Sequence, residues 1–309
     1  MASARGNSQM RQKQFSTEPI LTCLFFALCF CDGAPALAQK QIAVSPCPSP
    51  GEAADHALVV SIDEKLELTL NDGRVLRIAG IDPPRPTPDN PDLDQKSRDT
   101  LANWLNGRDI GFQPLGTALD RWGRLPCFVF AAASASDQRL LSVGEALLDA
   151  GLARFKPSTE AKSCRTALLA AEASARAAGL GVWSDPYYMV IKATGRSVFA
   201  EKAATSVIVE GQVTNVVAGA ARTTLSFGPR RGEDFSVTIL QRNIKTFIAA
   251  GLNVPGLTGR VLRVRGLLDL RFGPQMEISS PDEIELITDT PIEAAMQPPP
   301  ASFPSKPRP

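Results

Sequence analysis

Leu66-Glu67-Leu68-Thr69-Leu70 alternates apolar with polar residues, the period of a strand with one buried face. Leu58-Val59-Val60-Ser61-Ile62 reads as a strand before it. Asn71-Asp72-Gly73 follows as a hairpin turn, because these residues tolerate the positive φ that tight hairpins demand. Residues 75–81 return as a third strand. Prolines crowd 83–91 and force a loop, after which 94–106 reads as a helix stopped by Gly107. Strands are expected at 110–114 and 126–131, and a second helix at 141–150, stopped by Gly151. In the third helix Cys164, Ala167, Leu168, Ala171, Ala175 and Ala178 share one face, and Gly179 ends it.

A second run of strands extends over 207–287, where Phe235-Ser236-Val237-Thr238-Ile239 and Val261-Leu262-Arg263-Val264-Arg265 both alternate and place Phe235 inward. Only 244–250 reads as helical there. The pattern therefore predicts an α+β, mostly β chain: a barrel with three helices over 56–188, a linker over 189–204, and a second small barrel of OB type over 205–288. A proline-rich stretch at 289–309 is expected to be disordered.

The first 38 residues have a different character. Basic residues precede an apolar run at 20–31, and Ala36-Leu37-Ala38 has the small-residue form of a cleavage site, so 1–38 is expected to be a signal peptide and 39–55 a leader. The apolar run is shorter than the ~20 residues a spanning helix needs, so no membrane span is expected after cleavage. Periplasm and medium are the two expected locations. The chain carries a net charge of +1, all of it in this segment, so no global pull toward nucleic acid exists.

Three cysteines lie beyond the signal: Cys47, Cys127 and Cys164. An oxidising compartment favours one pair and one odd thiol. Cys127 sits in the apolar run Cys127-Phe128-Val129-Phe130, which leaves Cys47–Cys164 as the expected disulfide, with three unpaired thiols as the alternative. There is no C-x-x-C, and His56 is the only histidine, so a zinc site or a histidine-based triad has no basis.

Candidate chemistry lies in three strings. Leu76-Arg77-Ile78-Ala79-Gly80-Ile81-Asp82-Pro83-Pro84 is followed by Asp120-Arg121-Trp122-Gly123-Arg124, then by Cys164-Arg165, Leu168-Leu169, Glu172 and Arg176 ahead of Gly181-Val182-Trp183. In order and spacing these resemble the staphylococcal nuclease (thermonuclease) family over 56–188. That resemblance implies an OB-like five-stranded barrel with three helices. It also implies cleavage of phosphodiesters with Ca2+ held by two aspartates, a glutamate that prepares water, and two arginines on the phosphate. The second unit resembles OB-type domains that follow such nucleases, through Gly211-Gln212-Val213, Phe227-Gly228-Pro229 and the stretch around Arg263-Val264-Arg265-Gly266.

Carried over by position, Arg77 and Arg124 match the two catalytic arginines and Asp82 one metal aspartate. The second aspartate falls at Lys65 or Leu66, depending on which end is counted from, and neither binds calcium, which takes oxygen ligands. The glutamate falls at Arg85, which stays protonated and cannot be a base; its charge is instead a candidate to hold a phosphate of a nucleic acid or another anion. Glu64, Glu67, Asp89, Asp92 and Asp94 are the carboxylates available to relocate. Taken singly, Arg77 is also an ordinary strand residue and 120–124 an ordinary tight turn. In the second unit, nine basic residues between 222 and 271 face three acidic ones, with Arg230, Arg231, Arg263 and Arg265 as candidate nucleic-acid contacts and Phe227, Phe235, Phe247 and Phe272 as candidate stacking rings. A solvated basic face is the plainer alternative.

The expectation that follows is an exported nuclease-like protein whose site is catalytically incomplete, a pseudoenzyme that binds single-stranded nucleic acid or another polyanion, with Ca2+ weak or lost. The alternatives are an active Ca2+-dependent nuclease with relocated carboxylates and an envelope module that binds protein or glycan.

Overall fold

The computed structural model describes residues 47–158 and 161–287; the expected signal at 1–38, most of the leader and the tail at 289–309 lie outside the described residues. The chain order begins β1 (Asp55–Ile62), β2 (Leu68–Leu70), β3 (Val75–Ile78), β4 (Ile81–Asp82), α1 (Leu93–Leu105), β5 (Asp109–Pro114) and β6 (Leu125–Ala132). It continues with β7 (Leu140–Ser142), α2 (Val143–Asp149), β8 (Arg154–Phe155) and α3 (Arg165–Ala177). Strands run in the order β3-β2-β1-β5-β6, and a parallel β3–β6 ladder, with Arg77 opposite Pro126, closes them into a five-stranded barrel. Three helices surround it, as the periodicity predicts. Residues 141–142, expected to open the second helix, instead end β7. Gly107, Gly151 and Gly179 all take positive φ just past a helix end, the conformation that only glycine enters freely.

The second unit contains β9 (Ile191–Lys192), α4 (Arg196–Glu201), β10 (Ser206–Gln212), β11 (Asn215–Ala218), β12 (Arg222–Ser226), β13 (Ser236–Leu240) and α5 (Ile244–Ala249). It ends with β14 (Val261–Asp269), β15 (Gln275–Ile278) and β16 (Ile284–Ile287). Its sheet runs β11-β12-β13-β15-β14-β10, and β10 and β11 are consecutive segments, so the path returns to its start. The order matches that of the first barrel, with a parallel third-to-fifth strand pair and a helix between the third and fourth strands in both. Phe235 is fully buried, as alternation predicts. The segment expected to be a linker holds β9, which pairs with β10, and α4, whose Phe199 is buried and stacks on Phe235 at 5.6 Å. Two short elements of this kind carry no periodicity that a linear reading can detect.

Cys47 and Cys164 form a disulfide that ties the leader to the start of α3. Cys127 is a free, fully buried thiol whose pKa burial pushes up to about 12, so it is inert. Among the described residues no helix is long and apolar enough to cross a membrane.

Candidate functional site: a cleft of paired charges

One face of the first barrel carries a cleft of about 1240 Å3, lined by Arg77, Asp82, Arg85, Asp120, Trp122, Arg124 and Lys156 and by the turn at 63–67. Strand β3 delivers Arg77. Gly80, at φ 76, then turns the chain into β4 and Asp82, and a Cβ there would meet Leu168 of α3 at 2.7 Å. The positive φ and the close approach together explain a glycine between two site residues.

Arg124 is positioned by a turn that its own carboxylate builds. Asp120 Oδ1 accepts the backbone N–H groups of Trp122 (2.9 Å) and Arg124 (3.1 Å), and Oδ2 accepts Arg124 Nε at 2.8 Å. Arg77 Nε lies 3.6 Å from the same Oδ2. The Arg124 hydrogen bond, acting against desolvation, holds the Asp120 carboxyl down to about 2. A second carboxylate, Glu67, pairs with Arg124 Nη1. The tight turn with a local ion pair and the convergence of two arginines are thus both present, and they are the same structure.

The family's calcium chemistry needs a cage of oxygen ligands, and these residues do not form one. At 63–67, Asp63 Oδ1 accepts the N–H groups of Lys65 (3.0 Å) and Glu67 (2.9 Å). Leu66 takes φ 58 and is buried. Burying that apolar side chain offsets a left-handed backbone that costs a non-glycine residue of order 1 kcal/mol. The turn spends Asp63 on backbone amides and aims Glu67 at Arg124. Asp82 Oδ2 is held by Arg154 Nη2 at 2.8 Å. Of the other expected substitutes, Glu64 pairs with Arg98 and Asp92 with Lys96, while Asp94 lines the cleft with Oδ1 on its neighbour's amide, Gln95 N–H. Among the described residues no group of three or more His, Cys, Asp or Glu side chains comes together.

Arg85 is the position at which the resemblance expects the family's glutamate. Its backbone N–H donates to the Tyr188 hydroxyl at 2.7 Å, pinning the proline loop, while its side chain is exposed. Among the described residues no carboxylate lies within ion-pair distance of Lys65, Arg85 or Lys156, so these are the cations the cleft has to offer.

The second barrel departs from expectation. Arg265 is buried, with Nη2 at 2.8 Å from Glu172 and paired also to Glu285, and Nη1 on Phe155 O at 3.0 Å. Arg263 pairs with Glu210 and Glu285. Both arginines, expected as nucleic-acid contacts, are engaged by carboxylates of neighbouring elements, Arg265 by one from α3. Arg230 and Arg231 are exposed, with Arg230 paired to Glu233. Phe227, Phe235 and Phe247 are buried, leaving Phe272, 79% exposed, as the one accessible ring of the four. Counting charge in sequence misses this, because the carboxylates that neutralise the arginines come from distant strands and helices. Arg154, Lys156 and Tyr188 were missed for a related reason: a two-residue strand such as β8 leaves no pattern to read.

No curated protein matches the chain. Residues 75–185 match the family model described as staphylococcal nuclease homologue, a span that begins after the 63–67 turn and covers the Arg77, Asp82 and Arg124 strings, so this part of the first barrel is a staphylococcal nuclease-like domain.

Proposed function

We propose that this protein is an exported, non-hydrolytic binding protein whose nuclease-type cleft holds the phosphates of single-stranded nucleic acid or a similar polyanion. The observation that carries this reading is how the charges of one cleft are spent. Lys65, Arg77, Arg85, Arg124 and Lys156 line it together with six carboxylates, of which Glu64, Glu67, Asp82 and Asp120 are each engaged by an arginine, while Asp63 accepts backbone amides and Asp94 the amide of Gln95, so the four paired ones are not set to cradle calcium or take a proton from water. A phosphate entering here competes with Asp120 and Glu67 for the Arg77 and Arg124 donors, so binding is weak and confined to low ionic strength. The disulfide agrees with export to an oxidising compartment, periplasm or medium, as the signal-like segment at 1–38 suggests.

The test is one set of samples. The purified protein is assayed for cleavage of single-stranded DNA and RNA with Ca2+ or chelator, then titrated with the same oligonucleotides at low salt, beside an Arg77→Ala/Arg124→Ala control. Binding without cleavage, lost in the control, supports the reading. Ca2+-dependent cleavage abolished in the control would replace it with an active nuclease, and Glu67 and Asp94, both lining the cleft, would be the carboxylates to change next.

A further inference from the structure

Asp82 is the one metal-type carboxylate that this chain keeps, and a cation already stands against it. Asp82 and Arg154 face each other across the β4–β8 pair, with Arg154 Nη2 2.8 Å from Asp82 Oδ2. The same guanidinium donates through Nη1 to Ser206 O, the first residue of β10 in the second barrel, at 3.2 Å, and lies 4.9 Å from the centre of the Tyr188 ring. Its side chain is only 11% exposed. An arginine fixed by a carboxylate, a carbonyl and an aromatic face has little freedom to leave. A metal ion arriving at Asp82 would have to displace it and strand a largely buried positive charge.

We propose that Arg154 supplies at Asp82 the positive charge that a divalent metal would supply, so that the cleft takes a phosphate chain with no divalent cation, and that the second barrel sets this arginine through Ser206. This rests on the anion-binding reading of the cleft. A smaller cavity of about 230 Å3, lined by Arg154 and Ser206, shares Asp82, Arg85 and Lys156 with the main cleft, so the arginine borders the part of the cleft where Arg85 and Lys156 stand. Arg154 acts here as a positioning residue: with Asp82 neutralised, an incoming phosphate meets Arg85 and Lys156 without also facing the Asp82 charge.

The two roles for Asp82 predict opposite signs. If Asp82 were a metal ligand, Asp82→Asn would remove Ca2+-dependent binding. If Arg154 neutralises it, Asp82→Asn releases a guanidinium and tightens binding. The full chain is titrated calorimetrically with CaCl2 alone, and by fluorescence anisotropy with a labelled single-stranded oligonucleotide in EGTA or in Ca2+, at low salt. Expected are no saturable Ca2+ uptake and equal oligonucleotide affinity in EGTA and Ca2+. Affinity should fall by at least about tenfold in Arg154→Gln, be retained in Arg154→Lys, and recover in Arg154→Gln/Asp82→Asn. Thermal unfolding of each variant separates loss of fold from loss of charge, and recovery in the double variant cannot come from a merely structural arginine. Stoichiometric Ca2+ uptake by the wild type that Asp82→Asn removes, or unchanged affinity in a folded Arg154→Gln, overturns the proposal. A wild-type chain that binds no oligonucleotide at low salt overturns the anion-binding reading instead, and the Ca2+ titration still decides whether Asp82 belongs to the arginine or to a metal.

Discussion

Glu172 of α3 and Arg265 of β14 meet across the boundary between the two barrels, with Oε2 2.8 Å from Nη2 and Oε1 3.2 Å from Nη1, and both side chains are almost wholly excluded from solvent. Each also binds the backbone of one residue: Glu172 Oε1 accepts Phe155 N–H at 2.8 Å, and Arg265 Nη1 donates to Phe155 O at 3.0 Å. Phe155 lies between Arg154, which holds Asp82, and Lys156, which lines the cleft, so the pair that joins the barrels also fixes the backbone that carries both. Burial alone would raise the Glu285 carboxyl, but Arg265 and Arg263 outweigh it and hold it below its ordinary value, so a second carboxylate stays charged beside the same arginine.

Breaking this pair on one side should be expensive. Arg265→Met leaves Glu172 buried against Phe155 N–H and Arg176 without its main cation, a loss of about 3–5 kcal/mol. Glu172→Gln/Arg265→Met should cost clearly less than the sum of the single changes, because neither charge is then left alone. Urea unfolding measures both. Additive losses would mean that the two residues do not act as a pair.

The fold was legible where many residues repeat one signal. Alternation at 66–70, the Asn71-Asp72-Gly73 turn and the glycine stops at 107, 151 and 179 each report a local backbone preference; the structure places the hairpin and the helix ends there, and a strand over Leu68–Leu70, with Leu66 and Glu67 given to the preceding turn. The site was legible in part: the strings around Arg77, Asp82 and Arg124 do converge on one cleft. What the sequence hid was pairing. Glu67 reaching Arg124, Arg154 reaching Asp82 and Glu172 reaching Arg265 join residues 57, 72 and 93 positions apart, and no local pattern encodes such contacts. For the same reason the alternating strand 261–265 correctly showed that Arg263 and Arg265 share a face, but not that this face is covered by α3 and by acidic neighbours.

The Cys47–Cys164 bond spans a sequence separation of 117 residues and anchors the leader to the helix that carries Glu172. Closing a loop of that length restricts the unfolded chain by about 4–5 kcal/mol in the chain-entropy account. Cys47→Ser/Cys164→Ser, or the wild type melted with reductant, should unfold at a clearly lower temperature, and reductant should then have no further effect on the double variant. A melting point indifferent to reductant would show that the bond contributes nothing to stability.

If Lys65, Arg85 and Lys156 are the cations that meet phosphate, affinity for a single strand should fall with salt along a log–log slope of about −2, since each phosphate contact contributes about −0.7. Arg85→Ala should make the slope shallower by about one such increment, whereas Arg230→Ala, on a second barrel whose Arg263 and Arg265 are already paired, should leave it unchanged. Anisotropy titrations over a salt series give the slopes. A steeper wild-type slope that Arg230→Ala reduces would move the interface to the second barrel.

Asp120 competes with any ligand for Arg77 and Arg124, and its carboxyl is held down to about 2, below the ordinary value near ~3.9. A depressed carboxyl stabilises the fold fully above its ordinary range, and that contribution is lost as pH falls through about 2. Between pH 7 and 5 the carboxylate therefore remains charged, and acidification across this window should leave oligonucleotide affinity unchanged. Asp120→Asn should do what mild acid cannot: its side-chain oxygen can still accept the Trp122 and Arg124 amides and keep the turn, while one of the charges that competes with phosphate for Arg124 is gone and only Glu67 still pairs with it, so binding at pH 7 should tighten several-fold. Carbon-detected NMR titration of the Asp120 carboxyl, with Arg124→Ala expected to return its midpoint toward the ordinary value, checks the cause directly. Binding that strengthens between pH 7 and 5 in the wild type and equally in Asp120→Asn would assign the competition to another group.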